Sequence, residues 1–146
     1  MKKKRPRAAT ITLKRTIGGR TVAAIIPARW EPEVDDFVAS TAAARAGELA
    51  IAVELARSGP IHGEAFLWMR RSLGLSARKL AEVLGVRHET ISRWENGAAD
   101  VDRAAWLVLG DLVLDRAGAH VPMMERAERI ASRKRFPART VVEVRP

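Results

Sequence analysis

Ile11, Leu13 and Ile17 alternate with Thr12, Lys14 and Thr16, and beyond Gly18-Gly19 the residues Val22, Ala24 and Ile26 resume the alternation. A period of two turns one side of each segment toward a core, and glycine tolerates the positive φ of a tight reversal, so two strands of a β-hairpin are predicted. Residues 27–33 hold two prolines and are expected to break the second strand. Asp35-Asp36 then opens an Ala-rich helical stretch to about Arg57, acidic side chains at its start suiting the helix dipole. Ser58-Gly59-Pro60 stops it and sets a joint near residues 58–62. From Gly63 onward short helical patterns follow one another, divided by glycines: 64–73, 76–84, 87–95 and 102–116. After Gly118 and Pro122, residues 123–134 read as a polar helix and 139–144 as a short strand.

The chain has 146 residues, 47% hydrophobic and 29% charged, enough for one domain with a sizeable core or a compact module with appendages. The absence of cysteine from the sequence excludes disulfides, thiolate zinc sites, iron–sulfur clusters and cysteine nucleophiles. No apolar run approaches a membrane span, and the basic start leads into Thr10-Ile11-Thr12 rather than a signal core, which points to the cytoplasm. The net charge of +9 is uneven: residues 1–20 carry Lys2, Lys3, Lys4, Arg5, Arg7, Lys14, Arg15 and Arg20 with no acid. Residues 117–146 add seven basic and three acidic side chains, whereas 21–62 and 98–116 are net acidic. A polyanion is the natural partner of such a surface, because each neutralised phosphate releases counterions. A solvated, solubilising tail is the alternative reading for the first seven residues.

Residues 76–97, SARKLAEVLGVRHETISRWENG, are the most specific segment. Ser76 can cap a helix on which Leu80, Ala81 and Leu84 share a face. Ala81 is small where two helices must approach, Gly85 can turn the chain in the left-handed conformation, and Val86 plugs the turn. The next helix turns Ile91 and Trp94 inward and leaves His88, Glu89, Ser92 and Arg93 outward. That is the geometry of a helix that enters a DNA major groove. Trp94, like Phe66, Met69 and Trp106, is read as core.

These residues, with Leu75-Ser76, Leu80-Ala81, Leu84-Gly85-Val86 and the run Thr90-Ile91-Ser92-Arg93-Trp94-Glu95-Asn96-Gly97, resemble the helix-turn-helix domain of the phage-repressor-like, or XRE, family. The resemblance covers 63–115. It implies a mainly α protein, a five-helix-type XRE domain preceded by a β-hairpin and a long helix, with helix 87–95 reading double-stranded DNA. The implied base contacts are His88, Glu89 and Arg93, of which Arg93 can hold guanine O6 and N7 with its planar fork. Ser76, Arg78, Arg87, Thr90, Ser92 and Asn96 fall to the DNA backbone, and Arg70 with Glu95 forms a structural pair. Two positions depart from the family pattern: Arg87 replaces the usual serine before the recognition helix, and Ala77 a glutamine that often contacts DNA or the neighbouring helix.

The order of hairpin, proline-rich break, long helix and helix-turn-helix resembles the MqsA family of antitoxins, without the Cys-x-x-Cys pairs of its zinc site. The expected organisation is a basic disordered tail (1–8), a hairpin plus long helix for dimerisation or partner docking (9–60), the DNA-binding domain (61–118), and a C-terminal helix and tail (119–146). The Ala-rich stretch 39–56 suits either close packing against a second copy or an internal helix covering the hairpin. Expected partners are double-stranded DNA, a second copy of the chain and, on the antitoxin reading, a small toxin protein; no membrane, cofactor or metal is expected. Catalysis is not expected, since His62, His88 and His120 lack metal-ligand spacing and Glu31, Glu33, Asp35 and Asp36 have no partner motif.

Overall fold

The computed structural model describes residues 9–132 and 138–144. The expected disordered tail at 1–8, and the end of the last helix at Lys134, lie outside the described residues. Strands β1 (Ala9–Ile17) and β2 (Arg20–Glu31) form an antiparallel hairpin, in register from Ile17 opposite Arg20 to Ala9 opposite Ala28. Gly18 and Gly19, at φ 57° and 77°, make the turn, a pair of left-handed positions that matches the twist of the two strands.

β2 does not break at Pro27. The Thr21 N–H donates to the Ala138 carbonyl and the Val144 N–H to the Ile25 carbonyl, so the odd residues of β2 aim their backbone groups at β4 (Arg139–Glu143), which lies parallel beside β2. Pro27 faces the same edge just past Ile25, the last residue paired there, and its missing N–H costs the ladder nothing. The acidic pair does not open a helix either. Asp35 adopts φ 53° in a second reversal, and β3 (Asp36–Val38) pairs back onto Arg29–Glu31, with Trp30 and Phe37 edge to face at 5.2 Å. The helix α1 (Thr41–Ser58) starts only at Ser40, whose Oγ accepts the Ala43 N–H at 3.0 Å, a cap worth about 1 kcal/mol.

α1 lies on the face of the sheet that carries Val22, Ala24 and Ile26 and buries Ile51, Ala52, Leu55 and Ala56. At Gly47 a Cβ would come 2.7 Å from Ile26 Cγ2, so the small residues of this stretch serve close packing inside the chain. Behind α1 stand α2 (Gly63–Ser72), α3 (Ala77–Leu84), α4 (His88–Glu95), α5 (Arg103–Ala117) and α6 (Met123–Ala131). With a four-stranded sheet and six helices among the described residues, the fold is mixed α/β, which corrects the mainly α, five-helix expectation. One apolar cluster runs from Ile17, Val22 and Ile26 through Leu55 to Phe66, Met69, Leu80, Ile91, Trp106 and Leu109.

The end of α1 shows how hairpin, long helix and later helices are tied together. The Ala56 carbonyl would normally receive the N–H of residue 60, but Pro60 has none. Arg126 Nε fills that position at 3.1 Å, while Arg129 Nη1 reaches the Arg57 carbonyl at 3.3 Å and Arg20 Nη1 the Gly59 carbonyl at 2.6 Å. Three cations thus cap the negative end of the helix. Arg20 is buried and also meets Glu54 at 2.7 Å, Ser58 at 2.6 Å and Thr140 at 2.8 Å, joining β2, α1 and β4. Arg126, fully buried, meets Asp111 at 2.6 Å and the Leu107 carbonyl at 3.2 Å. Burial lowers its guanidinium below the ordinary arginine value, and Asp111 works against that shift. No helix among the described residues is long and apolar enough to cross a membrane.

Candidate nucleic-acid interface

The segment 76–97 forms two helices joined by a sharp turn. Ser76 Oγ accepts the Lys79 N–H at 3.1 Å and starts α3. Gly85, at φ 68° and ψ 32°, ends it in the left-handed region, and the Val86 N–H returns to the Ala81 carbonyl at 3.0 Å. Leu80 and Ala81 of α3 and Ile91 and Trp94 of α4 are buried in the common core, where Trp94 meets Phe66 edge to face at 5.6 Å.

Inward packing of Ile91 and Trp94 determines what α4 presents outside. Glu89, Ser92 and Arg93 are exposed, and His88 and Thr90 are half-exposed. His88 Nδ1 stands 3.4 Å from Glu89 Oε2. Arg87 precedes the helix at its cap position, exposed and without a side-chain cap. Arg78 is exposed on α3, as is Ser76 before it. Asn96 is exposed at the far end of α4, its Oδ1 accepting the Ala98 N–H at 2.9 Å, which leaves the amide NH2 as its outward donor. His88, Glu89 and Arg93 thus share one outer face, Ser76 and Arg78 stand at the start of α3, and Asn96 marks the opposite end of α4.

Arg70 and Glu95 set the angle at which α4 is held. Arg70 Nε and Nη2 each donate to the Glu95 carboxylate at 2.8 Å, and Nη1 donates to the Leu75 carbonyl at 2.9 Å. The fork therefore joins the end of α2, the turn into α3 and the end of α4. Both side chains are mostly buried, at 13% and 10% exposure, so the bidentate pair is partly desolvated. Gly63 contributes at the other end: a Cβ there would run into the Trp94 carbonyl, so α2 can begin against the end of α4 only without a side chain. Replacing Arg70 by Gln should cost about 2 to 4 kcal/mol in urea unfolding, because Glu95 keeps its charge and loses its partner. A change below about 0.5 kcal/mol would show that the pair is not a structural brace.

Residues 67–104 match the helix-turn-helix family model. The match spans about a quarter of the chain and contains α3, the turn and α4 entire. Helix-turn-helix proteins of this family are DNA-binding regulators rather than enzymes. No curated protein and no solved structure matches the chain. Among the described residues no group of three or more His, Cys, Asp or Glu side chains is placed to hold a metal ion.

Sequence reading missed two features around the helix-turn-helix. Lys79 is exposed in the first turn of α3, 3.4 Å from Glu82, and adds a cation beside Arg78; its place next to the capping Ser76 was the available signal. Arg20 and Arg126, counted among the free basic charges, are internal. Of the eight basic residues in 1–20, Lys2, Lys3, Lys4, Arg5 and Arg7 lie outside the described residues. Lys14 is exposed, Arg15 lies 5.9 Å over the Trp68 ring, and Arg20 is buried beside Glu54.

Proposed function

We propose that the chain is a sequence-specific, double-stranded-DNA-binding transcriptional regulator that works as a dimer and reads the major groove with α4. The observation that carries this reading is the outward placement of His88, Glu89 and Arg93 on a helix anchored through Ile91, Trp94 and the Arg70–Glu95 fork. A rigid mount matters because base readout depends on side chains held to within a fraction of an ångström. Arg93 is assigned to guanine O6 and N7, Glu89 to a cytosine N4 amine, and His88 to a neighbouring base edge. Ser76, Arg78, Arg87, Thr90, Ser92 and Asn96 are assigned to sugars and phosphates, where they set register without reading sequence. Arg87 replaces a capping oxygen with a cation, a choice that suits a phosphate at the start of α4.

Mobility shifts against duplex fragments from upstream of the gene, in rising salt, test the reading. One fragment bound well above the others supports it, and equal affinity for every sequence overturns it. Changing Lys2, Lys3 and Lys4 to Ala should reduce the slope of log affinity against log salt by up to about 3 while leaving the preferred fragment unchanged. A changed preference would move those lysines from phosphate to base contacts. The antitoxin role rests on the order of elements alone; a small toxin-like reading frame beside the gene, whose product co-purifies with this chain, would be its sign, and a solitary gene with a free protein would count against it.

A further inference from the structure

The second face of the sheet is a feature that the DNA-binding reading leaves unused. α1 covers one face. The other carries Thr10, Thr12, Lys14 and Thr16 from β1, Thr21, Ala23, Ile25, Pro27, Arg29 and Glu31 from β2, Val38 and Asp36 from β3, and Arg139, Val141 and Glu143 from β4, as the registers require. No helix among the described residues packs there. Val141 is 64% and Val38 42% exposed, on either side of the half-buried Ile25 and Pro27. An open sheet face with an apolar middle is a docking surface.

Its charges indicate the occupant. Lys14 and Arg139 stand at the end of the face near the Gly18-Gly19 turn, whereas Glu31 and Asp36 stand at the far end, with Glu33 in the turn beyond; Arg29 tempers that acidic end without reversing it, and Glu143, opposite Ile25 on β4, adds an acid beside the apolar middle. A second copy, turned end over end about a twofold axis across the strands, brings each basic end onto the partner's acidic end and Ile25 and Pro27 onto their counterparts. An isologous contact of this kind needs no other molecule.

We propose that this face pairs with the same face of a second copy, two sheets stacking about 10 Å apart as in a β-sandwich. Nine residues by three strands give a footprint of about 30 by 15 Å, roughly 450 Å2 per copy and about 900 Å2 in all, which is the size of a weak, transient contact rather than of a permanent interface. The expected dimer is weak, dissociating in the micromolar range or above, and bound DNA with two half-sites would strengthen it. The inference supplies the two-subunit arrangement of the regulator proposed above, but its test is made without DNA, so either can fail alone.

Sedimentation velocity of the full chain from about 1 to 200 μM, with circular dichroism to check folding, decides it. The wild type should move from monomer to dimer across that range. Arg139→Glu should weaken the dimer about tenfold, since it places acid against acid, and Glu31→Arg should do the same with the opposite sign. The two changes together should restore the wild-type constant to within about threefold, which an effect on folding could not produce. Val141→Glu should leave a folded monomer. A wild type that stays monomeric overturns the proposal. So does a dimer that all these variants leave intact but Met124→Glu, on the exposed side of α6, dissociates.

Discussion

Replacing Asp111 by Asn should lower the unfolding free energy by about 3 kcal/mol, and by more than replacing Arg126 itself with Met. The guanidinium has no solvent exposure, and Asp111, 45% exposed, is its only carboxylate partner among the described residues, at 2.6 Å. Without that charge the cation stays inside with neutral acceptors alone, the Ala56 and Leu107 carbonyls and the amide oxygen of the new side chain. Arg126→Met removes the buried charge together with its cost. What it loses is the donor to the Ala56 carbonyl, which Pro60 cannot replace, a penalty of about 1 to 3 kcal/mol. Urea unfolding of both variants, with unchanged m-values, gives the order directly. If Arg126→Met proves clearly the more damaging, the side chain acts chiefly as a cap and filler and its charge is well tolerated. Gly110 belongs to the same arrangement, since a Cβ there would occupy the space of Arg126 Nη2.

Replacing Arg93 by Ala should cost about 1 to 3 kcal/mol of discrimination at one base pair, roughly 5-fold to 150-fold, with no loss of stability beyond about 0.5 kcal/mol. Arg93 is exposed, and its backbone carbonyl, which accepts the Ala99 N–H at 3.1 Å, survives the change. Competition binding against operator fragments altered one base pair at a time measures the effect. A loss confined to one position supports base contact by Arg93. A uniform loss at every position would assign the residue to phosphate instead. Lysine at the same site should recover affinity better than specificity, because its point charge lacks the two-pronged geometry.

The helix-turn-helix was legible because its determinants are local. Ser76 caps the helix it precedes, Gly85 turns where a left-handed residue is needed, and Ile91 and Trp94 are three apart on one side of one helix. Each follows from neighbours within about a turn, so periodicity and capping rules suffice. The outward set His88, Glu89 and Arg93 follows from the same phase. The mixed α/β class was not legible for the opposite reason. Pro27 reads as a breaker until β4, from the far end of the chain, is seen to pair only as far as Ile25. Asp35-Asp36 reads as a helix start until Trp30 meets Phe37 across a second reversal.

The basic residues divide along the same line. Composition establishes a strongly cationic chain without cysteine; it does not say which cations are available. Arg20 and Arg126 look like any other arginine in the sequence, and only folding brings them to the end of α1, whose last carbonyls Pro60 and the chain reversal leave without donors. The sequence by itself determined helix α4 and its outer face, since a few adjacent residues set helix phase. The tertiary structure alone decided the four-stranded sheet, its second face that no described helix covers and the internal arginines, because strand pairing and buried charge depend on partners brought together from distant parts of the chain.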